Sequence, residues 1–214
     1  MGDDYTDIDD CCENFAGVLV TQKAPDFVAP AVMPDGTVKE DFRLSDLKGK
    51  YVMLFFWPLD FTFVCPTEII AHNHRSDEFK NRGVEVIGVS IDSQFTHCAW
   101  RNMPPEKGGI GQVNFPMVAD VKHSIVQAYG VEHPAGIALR ASFLIDKAGI
   151  VQHQVVNNLP LGRNVDEILR IIDALQFTEK HGEVCPAGWT KGKEGMKATT
   201  EGVAKYLSSH SKNL

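Results

Sequence analysis

The residue best placed to do chemistry in this sequence is Cys65, which follows Asp60-Phe61-Thr62-Phe63-Val64 and precedes Pro66-Thr67-Glu68. Proline suits the first turn of a helix, where its missing N–H has no intrahelical partner to lose. Cys65 is therefore expected where a loop becomes a helix, facing unpaired backbone N–H groups and the positive end of the helix dipole. A thiolate, the reactive form of the side chain, is favoured there. Thr62 lies three residues earlier, within reach of the sulfur or of an oxygen bound to it, and Pro58 is positioned to shield the sulfur from water. Polar donors around a partly desolvated anion are the usual way a nucleophile is tuned. The competing reading is a buried, inert cysteine. The helix start and Thr62 weigh against it.

The other reactive residue types carry less. No Cys-x-x-Cys gives Cys65 a neighbouring thiol, so a second sulfur has to come from far along the chain. Cys185, in the Pro/Gly-rich Val184-Cys185-Pro186-Ala187-Gly188-Trp189, is the candidate. Cys98 falls in an expected helix and reads as packing, and Cys11-Cys12 read as incidental thiols. Arg140, just before an apolar run, has a guanidinium that can offer an anion a fork of hydrogen bonds. Of eight histidines, His72 and His74 stand two apart on a helix and so face different ways, and no Cys/His set has zinc-finger spacing. No metal is expected. Gly108-Gly109-Ile110-Gly111 lacks the Gly-Lys-Ser/Thr ending of a phosphate loop and the context of a dinucleotide fingerprint.

The elements that position these residues follow from the apolar pattern. Tyr51–Trp57 reads as a buried strand stopped by Pro58, and a helix from Cys65 is expected to continue to Asn81 or Arg82, with Gly83 as its stop. Val84–Ile91 is a second strand, a helix lies near Phe95–Arg101, Pro104–Gly111 is a loop, and Phe115–Ala119 and Lys122–Tyr129 are a short strand and a short helix. Ala141–Ile145 and Ile150–Val155 form a hairpin. Asn164–Phe177 is the clearest helix, with Asn164 as cap and an apolar stripe of Val165, Ile168, Leu169, Ile172 and Leu175. Earlier, Met33–Val38 carries turn chemistry between two short strands. This order argues an α/β fold with a central sheet covered on both faces.

Length and charge bound the function. A chain of 214 residues, 43% hydrophobic and 23% charged, buries one substantial core without being fibrous or disordered. The net charge of −7 is concentrated in Asp3, Asp4, Asp7, Asp9, Asp10 and Glu13, with no Lys or Arg before Lys23, so the remainder is nearly neutral. That balance leaves no footprint for nucleic acid or an anionic membrane. No apolar run approaches the ~20 residues that span a bilayer. Five cysteines do not look like a secreted disulfide framework, and a cytoplasmic location is expected. Three parts are read: an acidic leader over 1–17, expected to be flexible, a main domain over 18–179, and a C-terminal extension over 180–214.

Pro58-x-x-x-Thr62-x-x-Cys65 within Asp60–Glu68 resembles the active-site motif of the peroxiredoxins, and Gly182-Glu183-Val184-Cys185-Pro186-Ala187 resembles the resolving-cysteine segment of their typical two-cysteine subgroup. The resemblance runs from about Val18 to the C-terminus and is greatest to the type found in bacterial alkyl hydroperoxide reductases and thioredoxin-dependent peroxidases. It implies a thioredoxin-like fold with a central mixed sheet and thiol peroxidase activity on hydrogen peroxide and organic hydroperoxides. In it Cys65 is the peroxidatic cysteine and Cys185 of a partner subunit the resolving cysteine. Thr62 and Arg140 hold peroxide and thiolate, Pro58 limits solvent, and Arg163 is a second arginine near the pocket. No cofactor is implied. The reductant is thioredoxin or a flavoprotein disulfide reductase, and homodimers assemble into a decamer, with Thr96 at the dimer–dimer contact. Gly108–Gly111 matches a glycine loop tied to overoxidation, whose partner motif Tyr-Phe is Tyr206-Leu207 here. Two other functions are weighed, an oligomeric holdase chaperone and a general disulfide oxidoreductase. The missing Cys-x-x-Cys disfavours the second.

Overall fold

Tyr51–Phe56 (β3) is buried at every position, and its side chains alternate between two cores. Val52, Leu54 and Phe56 join one cluster, and Tyr51, Met53, Phe55 and Trp57 join the other, as the two-residue period of a strand requires. A strand apolar on both faces belongs inside a sheet covered by helices on each side. The computed structural model, which describes residues 17–213, has that arrangement.

The first strands, Val28–Val32 (β1) and Val38–Arg43 (β2), form a hairpin across the Met33–Thr37 turn. Cys65–His74 (α1), Ser76–Asn81 (α2) and Val84–Ser90 (β4) follow β3, and then Gln94–Arg101 (α3), Met117–Ala119 (β5) and Ser124–Ala128 (α4). A two-stranded ribbon of Glu132–His133 (β6) and Ile137–Ala138 (β7) precedes Arg140–Ile145 (β8) and Val151–Asn157 (β9). Val165–His181 (α5) and Thr200–His210 (α6) follow, and a 3-10 turn, Ser211–Asn213, ends the described residues. The seven-stranded sheet has the order β2-β1-β5-β4-β3-β8-β9 and is mixed: β3, β4 and β5 run parallel, while β8 and β1 run antiparallel to their neighbours. This is the α/β, thioredoxin-like architecture expected from the sequence. Among the described residues no helix is long and apolar enough to cross a membrane.

Three local expectations change. The helix from Cys65 is two helices, broken at Arg75 (φ −100°, ψ 12°), because the Ser76 hydroxyl donates to the Asn73 carbonyl at 2.6 Å and takes it from the helical ladder. Gly83, left-handed at φ 66°, ends the second as expected. The Pro104–Gly111 loop contains a 3-10 turn, Pro105–Lys107, and Gly109 fits there because a Cβ would stand 1.9 Å from the Met103 carbonyl oxygen. Helix α5 runs one turn beyond Phe177, and its cap bond goes from the Asp166 N–H to Asn164 Oδ1, 2.9 Å. Cys98 packs against the core around Trp100, in keeping with the sequence pattern. Cys11 and Cys12, with residues 1–16 of the leader, lie outside the described residues.

One contact in this frame is unforgiving. A Cβ on Gly88 of β4 would lie 2.6 Å from Trp57 Cζ3, so the indole occupies space that only glycine leaves. Gly88→Ala should cost about 1–3 kcal/mol through overpacking. Urea unfolding would show this as a lower midpoint at constant slope. An unchanged midpoint would mean that Trp57 is not fixed there.

Candidate active site

The antiparallel register of β3 and β8 pairs Phe55 with Ser142, so Arg140, two residues earlier on β8, is level with the end of β3. The loop leaving β3 carries Pro58, which is buried, and Thr62, and it returns to start α1 at Cys65, whose side chain has no exposure. The fold thus brings Pro58, Thr62, Cys65 and Arg140 to one end of the central strands. It does not bring Cys185 there within one chain. That sulfur lies against α5, 3.6 Å from the Ala174 carbonyl and 3.7 Å from Thr178 Oγ1. Both cysteines are free thiols.

Of the donors expected around Cys65, the side chains are in place and the backbone N–H groups are not. Among the described residues no backbone N–H reaches the sulfur: Pro66 has none, and those of Thr67 and Glu68 turn back to the Val64 carbonyl at 3.0 and 3.3 Å. The two side chains named from the sequence do reach the sulfur. Thr62 Oγ1 is 2.9 Å from the sulfur, and Arg140 Nη1 is 3.3 Å from it. The Thr62 oxygen is also 2.8 Å from the Leu59 carbonyl. A hydroxyl has one proton, so its use depends on the sulfur. A neutral thiol donates to Oγ1 while Thr62 donates to Leu59. A thiolate accepts the Thr62 proton.

Behind the sulfur is a buried charge network that the sequence does not reveal. Glu68, 2% exposed and on the first turn of α1, accepts from Arg140 Nη1 at 2.8 Å. It also accepts from Arg163 through the backbone N–H (2.9 Å), Nε (2.8 Å) and Nη2 (3.0 Å). Arg140 Nε donates to the Leu159 carbonyl at 2.6 Å, and Arg163 Nη1 donates to Ser142 Oγ at 3.1 Å and to the Ala141 carbonyl. Burial alone would raise the Glu68 carboxyl, but the hydrogen bonds and charge of Arg163, then the charge of Arg140, outweigh it and hold the group below its ordinary range. The available signal is the spacing of three from Cys65, which puts both side chains on one helix face.

His72 has a structural role. It is stacked on Phe55 at 4.4 Å and donates from Nδ1 to the Glu68 carbonyl, and burial lowers it to about 4. His74 is exposed. Among the described residues no three His, Cys, Asp or Glu side chains gather as a metal site would need.

A thioredoxin-like sheet that ends in a buried cysteine held by a hydroxyl and an arginine defines a thiol-based oxidoreductase. Residues 20–154 match the AhpC/TSA family, and residues 174–209 match the C-terminal domain of 1-Cys peroxiredoxin. The chain is 61% identical over 198 residues to an alkyl hydroperoxide reductase C of Helicobacter pylori, covering 92% of this chain and all of that one. It is 53% identical to peroxiredoxin-1 of Gallus gallus over 89% of this chain and 96% of that one. The crystal structure of a reduced 2-Cys peroxiredoxin of Plasmodium vivax superposes with a TM-score of 0.87 at 53% identity, covering 89% of this chain and 99% of that one. The chain belongs to the AhpC/TSA family and is a peroxiredoxin, a thiol peroxidase. Neither a holdase nor a general disulfide oxidoreductase is favoured by these likenesses.

Because the folded state holds Glu68 below its unfolded value, the stability it contributes is complete above the range of a free glutamate, about 4.3, and is lost as pH falls through the lowered value. Glu68→Gln should cost about 3 kcal/mol at pH 7, since it leaves two buried guanidiniums underpaired. The gap to the wild type should shrink as pH falls below about 4. Urea titrations across that range would measure it, and a gap independent of pH would remove Glu68 from the charge balance.

Proposed function

We propose that Cys65 is the peroxidatic cysteine and Cys185 of a partner subunit the resolving cysteine of a typical two-cysteine cycle. The observation that carries the first assignment is the pair of donors on the Cys65 sulfur, Thr62 Oγ1 at 2.9 Å and Arg140 Nη1 at 3.3 Å. The thiolate attacks one oxygen of the peroxide, so an S–O bond forms and the O–O bond breaks. The sulfur is oxidised to sulfenic acid, and the departing oxygen takes a proton and leaves as water or as the alcohol. Arg140 holds a full positive charge beside the atoms on which negative charge moves, and Thr62 supplies a single directed proton to the sulfur or to the bound oxygen. Pro58, buried in the preceding loop, limits water at the sulfur.

The Cys185 thiol then attacks the sulfenic sulfur, an S–S bond forms and water leaves. An external dithiol restores both thiols by exchange. The dithiol is thioredoxin or a flavoprotein disulfide reductase, and the substrates are hydrogen peroxide and organic hydroperoxides. Support for Cys185 is its setting: in the segment after α5, a backbone bridge of Val184 with Met196, the Trp189 ring on Phe177, a hydrogen bond from Arg170 to the Trp189 carbonyl (3.2 Å) and the Lys191–Asp173 ion pair hold the cysteine against the helix. These contacts to the rest of the fold go to one helix, α5, from which the segment can detach as a unit. We further propose a cytoplasmic homodimer that assembles into a decamer. The edge strand β9 offers unpaired backbone groups for the dimer. Phe95 on α3, 72% exposed beside Thr96, offers apolar surface for the dimer–dimer contact.

Intact mass under non-reducing denaturing conditions, before and after one equivalent of hydrogen peroxide, tests both assignments. The wild type should become a disulfide-linked dimer through Cys65 and Cys185. Cys65→Ser should lose turnover by more than about a thousandfold. Cys185→Ser should consume one equivalent and stop with one added oxygen on Cys65. A Cys185→Ser variant that cycles normally with thioredoxin would overturn the two-cysteine assignment.

A further inference from the structure

Asp60 and His97 form a buried pair that the proposed cycle does not use. Their side chains are both inaccessible, with His97 Nδ1 2.7 Å from Asp60 Oδ2. The pair is satisfied on every side. Trp57 Nε1 donates to Asp60 Oδ1 at 2.8 Å, and His97 Nε2 donates to the Val118 carbonyl at 3.2 Å. The Asp60 N–H donates to Asp92 Oδ2 at 2.8 Å, and the Ser90 hydroxyl donates to that same oxygen. Four elements are thereby tied together: the loop after β3, the end of β4, helix α3 and β5.

Between Asp60 and Thr62 the backbone is left-handed. Phe61 has φ 55°, a conformation uncommon for a bulky residue and kept only where the surroundings enforce it. The residues that enforce it are on α3. Asp60 is held by His97, and the Phe61 ring, half-exposed, rests on Trp100 at 5.6 Å between centroids. The turn at Phe61 sets the direction in which Thr62 leaves the loop. A relaxed turn would carry the Thr62 hydroxyl away from the sulfur.

We propose that Asp60 and His97 are positioning residues for the peroxide reaction: through the left-handed turn at Phe61 they aim the Thr62 hydroxyl at Cys65. The inference rests on Cys65 and Thr62 acting as described above. One proton between Oδ2 and Nδ1 and one on Nε2 satisfy the pair, whether the first sits on oxygen or on nitrogen. Burial pushes the Asp60 carboxyl up, the hydrogen bond and charge of His97 oppose this, and the neighbouring Asp92 adds to the rise. The device therefore depends on hydrogen-bond geometry and not on a net charge. An asparagine at position 60 can accept from Trp57 through its oxygen and donate to His97 Nδ1 through its nitrogen, which preserves every bond.

The test compares two reactions of the full-length protein at Cys65: oxidation by hydrogen peroxide, followed by stopped-flow, and alkylation by iodoacetamide. Alkylation reports access and nucleophilicity but needs no aimed hydroxyl. His97→Ala should slow oxidation by about 100-fold, the scale of an ångström of misplacement, while alkylation changes less than threefold. Asp60→Asn should keep oxidation within threefold of wild type. In a Thr62→Val background His97→Ala should add less than threefold, since its effect passes through Thr62. If His97→Ala does not fold, His97→Gln, which keeps the volume but only one of the two bonds, should show a drop of about tenfold with the same selectivity. A parallel loss of oxidation and alkylation, an inactive Asp60→Asn protein, or effects that multiply in the double variant would each overturn the proposal. Peroxide consumption that survives Cys65→Ser would instead overturn the assignment of the site beneath it.

Discussion

Two guanidiniums and one carboxylate are buried behind Cys65, and that charge has to balance. Arg140 and Arg163 are 4% exposed and partly buried respectively, and both contact Glu68, itself 2% exposed. The sum is one surplus positive charge in a poorly solvated place, which is costly unless an anion joins it. The anion within reach of Arg140 is the Cys65 sulfur in its thiolate form. Glu68 thus does more than hold the arginines: it neutralises half of their charge and leaves as much as one anion can match. A site with no acid would bind any anion strongly, whereas one with a second acid would have no charge left to match a thiolate.

This balance constrains the sheet. Glu68 and Cys65 come from the first turn of α1, Arg140 from the start of β8, and Arg163 from the segment leading into α5. Those three elements meet only because β8 pairs antiparallel with β3 while α1 follows β3 directly. A slip of one residue in that pairing would turn Arg140 to the opposite face and leave Glu68 with one partner. The packing of Phe56 on Phe143 on one face of the sheet and of Phe55 on Phe115 on the other, which fixes the register, is therefore also what fixes the charge geometry.

Much of this is legible in the sequence. Tyr51–Trp57, the hairpin at Asp146–Gly149 and α5 carry strong periodicity or turn chemistry, and their placement follows. Cys65 and Thr62 stand out because Pro66 marks a helix start and a spacing of three is short enough to reason about locally. The helix break at Ser76 does not, because a hydroxyl that competes for one carbonyl has no periodic trace. Glu68 lies inside the motif, yet nothing local says that two arginines, one of them 95 residues away, converge on it. Asp60 and His97 are hidden for the same reason. Their partnership is tertiary, and each alone reads as an ordinary polar residue near a turn or in a helix.

The same site has to satisfy two opposed demands. Attack on peroxide requires Cys65 buried among its donors, whereas the proposed disulfide requires its sulfur to come within reach of another sulfur, with Cα atoms no more than about 7 Å apart. A fully buried cysteine on a helix meets the second demand only if the first turn of α1 unwinds. Its start is suited to that. The residue before it, Val64, makes no side-chain cap bond, and a valine there forgoes about 1 kcal/mol that a serine or aspartate would supply. By contrast, the caps of α3, α5 and α6 are Ser93, Asn164 and Thr199, each accepting a backbone N–H. The helix that carries the proposed peroxidatic cysteine is therefore the long helix with the weakest beginning, and the charge network around Glu68 is what ties its first turn to β8 and to the segment leading into α5.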